Sequence, residues 1–215
     1  MRNATSKIKL IIGTVASMPY FTLFDLSLAF EKKKAYFKTM LSRYAKKGEL
    51  IRLKKGFYVT KAYIDKLERK NTLSGYAELI ANILHTPSYL SLEWVLYENN
   101  ILTELPKNFT SVTLKKTAVF SNKLGNFLYH KIRRGLYYGY KVEKKNDFTF
   151  FRATKAKALF DFLYLRKNFL LNEKSIRELR LNLDSLSARE WKELEGYAKT
   201  EGSKKMKDIF NNLKK

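Results

Sequence analysis

The stretch from Lys32 to Val59 changes its apolar period within a few residues, and that change limits what the chain can build. Phe37, Met40, Leu41 and Tyr44 recur three and four residues apart, which puts them on one face of a helix. Gly48 follows as a residue suited to a left-handed helix end, and Lys46 and Lys47 stand in the last turn, where cations favour the helix dipole. Beyond it, Leu50-Ile51-Arg52-Leu53 and Phe57-Tyr58-Val59 are β-prone runs around Lys54-Lys55-Gly56, the pattern of a hairpin with a tight turn.

Upstream, residues 5–17 read as a first helix with Ile8, Ile11, Ile12 and Val15 on one face, weakened slightly by Gly13 and ended by Pro19. Thr22 is placed to cap a second helix over residues 23–30, with Asp25 completing a capping box. The third helix starts near Glu31 or Lys32 and ends at Gly48. Three short helices and a hairpin predict a winged helix-turn-helix over residues 1–70.

In this arrangement the third helix turns a basic, hydroxyl-bearing stripe away from its apolar seam. The stripe is Lys32, Thr39, Ser42, Arg43 and Lys46, with Tyr36 and Lys38 on its flanks. A DNA major groove admits one helix of this width. The expected roles follow from chemistry. Lys32, Lys33 and Lys34 neutralise phosphate at the helix entry, and Lys46, Lys54 and Lys55 hold phosphates. Tyr36, Thr39, Ser42 and Arg43 reach base edges. The plainer reading is that a charged face merely keeps a surface helix solvated. Two features favour the DNA reading: the hairpin, and three lysines at a helix N-terminus, where they oppose the dipole unless an anion arrives.

Charge supports the same partner. The 215 residues hold 43 Lys and Arg against 20 Asp and Glu, a formal net charge of +23, which attracts a polyanion. About half of the excess, +12, falls in residues 1–70. Fifteen Phe and 14 Tyr exclude a disordered tail, and the absence of cysteine excludes disulfides, thiolate zinc sites and cysteine nucleophiles. No apolar run reaches the roughly 18 residues of a membrane span, so no membrane partner is expected, and with no cysteine, two histidines and no glycine-rich phosphate loop neither a metal nor a cofactor is expected. Arg2, Lys7 and Lys9 before Leu10–Ala16 faintly resemble a secretory signal, but the apolar run is short, and a cytoplasmic location is expected.

The polar stretch Lys66–Asn71 is read as a boundary, leaving residues 71–215 as an α+β domain with a mixed sheet and C-terminal helices. Helices are expected over residues 74–84, 92–99 (capped by Ser91), 155–165 (capped by Thr154, with Ala158, Leu159, Phe162 and Leu163 inward), 173–181, 187–200 and 203–213. Strands are expected over residues 111–114, 118–120, 127–129, 136–142 and 148–151, which are rich in aromatic and β-branched residues. This half offers little chemistry. It has no glycine-rich phosphate loop, and no paired carboxylates can be argued from Glu93, Asp147 and Asp161. His85 reads as a surface or capping residue, and His130 has no carboxylate neighbour in sequence. Lys115, Lys116, Arg133 and Arg134 are candidates for a second anionic contact surface, or plain solvating charges.

Three segments carry a resemblance to a known family. Leu41–Val59, a helix ending in basic residues and glycine, then a strand, a basic turn and Gly-Phe-Tyr, is similar to the N-terminal domain of AbiEi-family antitoxins. Pro87-Ser88-Tyr89-Leu90-Ser91-Leu92-Glu93 resembles that family's Tyr-aliphatic-Ser-Leu-Glu helix start. Ala153-Thr154-Lys155-Ala156-Lys157-Ala158-Leu159-Phe160-Asp161 resembles its Ala-Thr-Pro-Glu-Lys-Ala-Leu-x-Asp segment, with Lys155 and Ala156 in place of Pro and Glu. The resemblance implies a type IV antitoxin that represses its own operon. Its winged helix would bind inverted repeats in promoter DNA. Its C-terminal domain would oppose a nucleotidyltransferase-like toxin without a stable complex, and it would not itself be an enzyme. The alternatives are an ordinary regulator with a ligand-sensing C-terminal domain, and an RNA-binding module.

Overall fold

In the computed structural model, residues 10–170 and 172–214 are described, and contacts divide the chain into two compact units. The first comprises residues up to Ile80 together with Phe120–Gly125; the second holds the rest. The architecture is mixed α and β, with a three-stranded sheet, a six-stranded sheet and helices closing the chain.

The first unit begins with a helix over residues 10–15 (α1); the earlier part of the expected first helix lies outside the described residues. Then come β1 (Phe21–Thr22), α2 (Leu23–Ala29), α3 (Lys34–Lys46), β2 (Leu50–Lys54), β3 (Phe57–Thr60), α4 (Lys61–Arg69) and α5 (Leu73–Leu84). Thr22 caps α2 through the expected reciprocal box with Asp25. Gly48 follows α3 at φ +79°, a conformation that a side chain would strain. The strand order is β1-β3-β2, all antiparallel, with Arg52 opposite Tyr58. Ile11, Val15, Phe21, Leu26, Phe37, Met40, Leu41, Leu50 and Tyr58 form one core. Each large side chain buried there contributes about 1.5–3 kcal/mol.

Two elements were not foreseen. Strand β1 is only two residues long, too short to show a period. The stretch expected as a polar boundary is the end of α4, where Thr60 accepts a hydrogen bond from the Tyr63 amide and Ile64 and Leu67 point inward. The apolar pair three residues apart carried that helix, but the surrounding charges concealed it.

The second unit contains β4 (Ser88–Leu90), α6 (Leu92–Glu98), β5 (Asn108–Thr113), β6 (Ala118–Asn122), β7 (Gly125–Lys131), β8 (Tyr140–Lys145), β9 (Phe148–Ala153), α7 (Lys155–Arg166), α8 (Glu173–Arg177), α9 (Ala188–Glu201) and α10 (Lys204–Leu213). The tip of the β6–β7 hairpin groups with the first unit, where Asn122 Nδ2 donates to the Leu53 carbonyl at 3.0 Å. The sheet order is β6-β7-β5-β4-β9-β8. The β5/β7 and β4/β9 pairs are parallel, and β4/β5 and β8/β9 antiparallel, so the sheet is mixed.

Strand β4 and the backbone near residue 136 correct the sequence reading. Ser88–Leu90 pairs on both sides at the middle of the sheet. Residues 134–136 form a 3-10 turn, and Gly139 takes φ +80°, so the expected strand over residues 136–142 begins only at Tyr140. Ser91 stands at the N-cap of α6 but gives it no side-chain bond. Thr110 Oγ1 accepts from the Trp94 amide instead, at 3.0 Å, and donates to the Ser91 carbonyl at 2.7 Å.

Candidate nucleic-acid interface and a polar cavity

Helix α3 separates its two faces as its spacing requires. Phe37, Met40 and Leu41 are buried, while Lys34, Tyr36, Lys38, Thr39, Ser42, Arg43 and Lys46 are exposed. Lys32 and Lys33 precede the helix and are also exposed. Its N-cap, Lys33, makes no side-chain capping bond, and its first turn has no acidic residue. Lys34 Nζ lies 4.9 Å from the Phe24 ring centroid. Among the described residues, Lys32, Lys33, Lys34, Lys38, Arg43, Lys46 and Lys55 are in no ion pair. Most of the ion pairs found among the described residues lie in the second unit, and Lys61–Asp65 lies in the first.

The two hairpin lysines differ. Lys55 is exposed at the turn beside Gly56, which sits at φ +84°. Lys54 is half-buried, with Nζ 3.9 Å from the Phe57 ring centroid, so part of its role is a cation–π contact. Arg52, exposed on β2, is a further cation that the sequence reading did not single out, although it stands between Ile51 and Leu53 in an alternating run.

Lys115, Lys116, Arg133 and Arg134 are all exposed. They follow the same ends of the neighbouring parallel strands β5 and β7, where Thr113 pairs with Lys131. Arg133 is already engaged, donating to the carbonyls of Thr200 and Glu201 at 3.3 and 2.8 Å.

The second and third segments of the resemblance, some seventy residues apart, meet in the core of the second unit. Ser91 and Tyr89 donate to Asp161 Oδ2 at 2.8 and 3.0 Å, and Lys157 Nζ donates to Asp161 Oδ1 at 2.6 Å and to the Leu136 carbonyl at 2.8 Å. The ammonium is ringed by Tyr89, Tyr138, Phe160 and Tyr197, at 4.8–5.9 Å from their centroids. Burial pushes the Asp161 carboxyl up and the Lys157 ammonium down, against their mutual attraction, and pushes the Tyr89 hydroxyl far above its usual range. Both members of the pair are fully buried, so the cluster holds the fold together and offers nothing to solvent. Helix α7 is buried on every side from Ala156 to Leu163, not on one apolar face alone.

A cavity of about 790 Å³ opens in the same unit, lined by residues 102–108, Thr110, Leu128, His130, Glu93, Arg166 and residues 178–180. Arg166, five residues beyond the third segment, donates through Nη2 to Glu93 of the second. Burial holds the His130 imidazole below its usual pKa; Glu93 opposes that shift and Arg166 reinforces it. His130 therefore does have a carboxylate close enough to act on it, supplied from another element.

Among the described residues no group of His, Cys, Asp or Glu is arranged to hold a metal ion, and no helix is long and apolar enough to cross a membrane. In comparisons with protein-family models and with curated proteins, the chain matches none.

Proposed function

We propose that the first unit is a winged helix-turn-helix that binds duplex DNA through α3, and that the chain is an autorepressor and antitoxin, as its resemblance to AbiEi-family proteins implies. The observation that carries the DNA reading is the sorting of charge. The exposed face of α3 bears cations without carboxylate partners, whereas Lys145, Arg152, Lys155, Lys157, Arg166 and Lys167 of the second unit are paired with carboxylates within the fold. Uncompensated charge on one helix, beside a hairpin whose turn carries Lys55, is suited to a phosphate-lined groove.

In this mechanism Lys32, Lys33, Lys34, Lys46 and Lys55 contact phosphates and fix the register of the helix. Thr39, Ser42 and Arg43 face the base edges, where Arg43 is suited to the acceptor pair of a guanine. The antitoxin role rests on the resemblance alone. Competition between a duplex from upstream of the gene and transfer RNA tests the nucleic acid: the duplex prevails if the reading holds, and equal competition contradicts it. Co-expression with the product of the neighbouring reading frame tests the antitoxin role, with rescue from growth arrest expected and unchanged arrest contradicting it.

The cavity favours a second reading for the C-terminal part, in which the chain is a regulator that senses a small molecule.

A further inference from the structure

We propose that the cavity of the second unit binds a small zwitterion: an organic molecule carrying an ammonium and a carboxylate on an aliphatic body. At about 790 Å³ the cavity lies within the range of small-molecule sites, roughly 300–1,000 Å³. Its charge departs from that of the rest of the chain. Lys107, Arg166 and Arg180 face Glu93, Glu104 and Glu178, three of each sign, in a chain with 43 basic and 20 acidic residues. A phosphate-seeking surface concentrates one sign. Balanced charge gives no net attraction to a lone anion or a lone cation and suits a molecule that presents both.

The lining of the cavity supplies partners for both groups. Glu93 accepts from Arg166 through Oε1, while its Oε2 is buried without a hydrogen-bond donor among the described residues. That oxygen is closed off from solvent, and the carboxylates open to a ligand ammonium are the exposed ones of Glu104 and Glu178 in the same lining. Arg166 uses Nη1 on the Phe162 carbonyl and Nη2 on Glu93, and its plane lies 3.8 Å from the Phe162 centroid. Its fork retains further N–H donors suited to a carboxylate. Leu105, Leu128 and Leu179 wall the same space and match an aliphatic body. The imidazole of His130, held neutral near pH 7 by its burial, adds no charge that would upset the balance.

A free amino acid and a short peptide share this chemistry, and ligand-observed saturation-transfer NMR on the full chain at pH 7 separates them. The probes are leucine, trileucine, N-acetyl-leucine, which keeps only the carboxylate, and leucinamide, which keeps only the ammonium. Saturation transfer to leucine or trileucine is expected, and whichever binds more tightly identifies the source. Each single-charge compound is expected to bind about tenfold more weakly or worse. Glu178→Gln and Arg180→Gln, at exposed positions, should each weaken the zwitterion about tenfold while leaving circular dichroism and duplex affinity unchanged. The proposal is overturned if neither zwitterion binds, if the single-charge compounds bind as tightly, or if both variants retain full affinity. It does not depend on the DNA reading, and none of these outcomes bears on that reading.

Discussion

Lys157 Nζ and Asp161 Oδ1 stand 2.6 Å apart, one helical turn from each other, with neither side chain exposed to solvent. Two charges removed from water are held by each other, by the hydroxyls of Tyr89 and Ser91 and by the Leu136 carbonyl. Breaking such a pair leaves the survivor uncompensated. Lys157→Met is therefore expected to cost about 3–5 kcal/mol in urea unfolding. The double variant Lys157→Met with Asp161→Leu should lose less than Lys157→Met alone, because no buried charge remains. If the double variant loses at least the sum of the two single losses, the pair is not the coupled unit described here.

Gly139 is the turn that lets this cluster close. It lies at φ +80°, and a Cβ there would overlap the hydroxyl of Tyr197 and approach the Lys157 side chain. Gly139→Ala should lower thermal stability by about 1–3 kcal/mol. Tyr197→Phe should not restore it, since the backbone strain remains. A Gly139→Ala chain melting with the wild type would contradict this.

His130 gives a pH dependence with a definite sign. Burial, opposed by Glu93 and reinforced by Arg166, lowers its pKa from 6.5, so the folded state prefers the neutral ring. As pH falls below 6.5 the unfolded chain takes up the proton first, and stability declines until the lowered folded value is passed. Above 6.5 this group has no effect. An NMR titration of the ring should give a midpoint below 6.5, and His130→Gln should flatten the decline; a midpoint at or above 6.5 would contradict the account.

The two hairpin lysines should separate in a duplex-binding assay combined with a melt. Lys55→Ala should weaken every duplex alike and reduce the salt slope by about 0.9, without changing stability. Lys54→Ala should also destabilise the chain by about 0.5–1 kcal/mol, since its ammonium rests on Phe57. Arg43→Ala should instead relax sequence preference, by about 1–3 kcal/mol at one base pair. A uniform, sequence-independent loss from all three would refute this division of roles.

Local patterns in the sequence made much of this legible. The capping box at Thr22 and Asp25, the apolar stripe of α3, the glycine after it and the hairpin runs each depend on neighbours a few residues apart. Strand β4 could not be read this way, because Ser88–Leu90 is three residues long and its two partners lie far along the chain. The cap of α6 was misassigned because Ser91 has the right chemistry at the right position, yet its hydroxyl serves Asp161, and Thr110 takes its place from β5. The cavity was not visible at all. Glu93, His130 and Arg166 come from three separate elements, and no spacing in the chain relates them.

The central claim is that the exposed cationic face of α3 binds duplex DNA. Fluorescence anisotropy with the upstream duplex, across a range of salt concentrations, compares the wild type with a Thr39→Ala, Arg43→Ala, Lys46→Ala variant. The account predicts that log affinity falls linearly with log salt, and that the triple variant binds more weakly with a slope shallower by about 0.9 for each phosphate contact removed. Identical affinity and slope in the two proteins would contradict it.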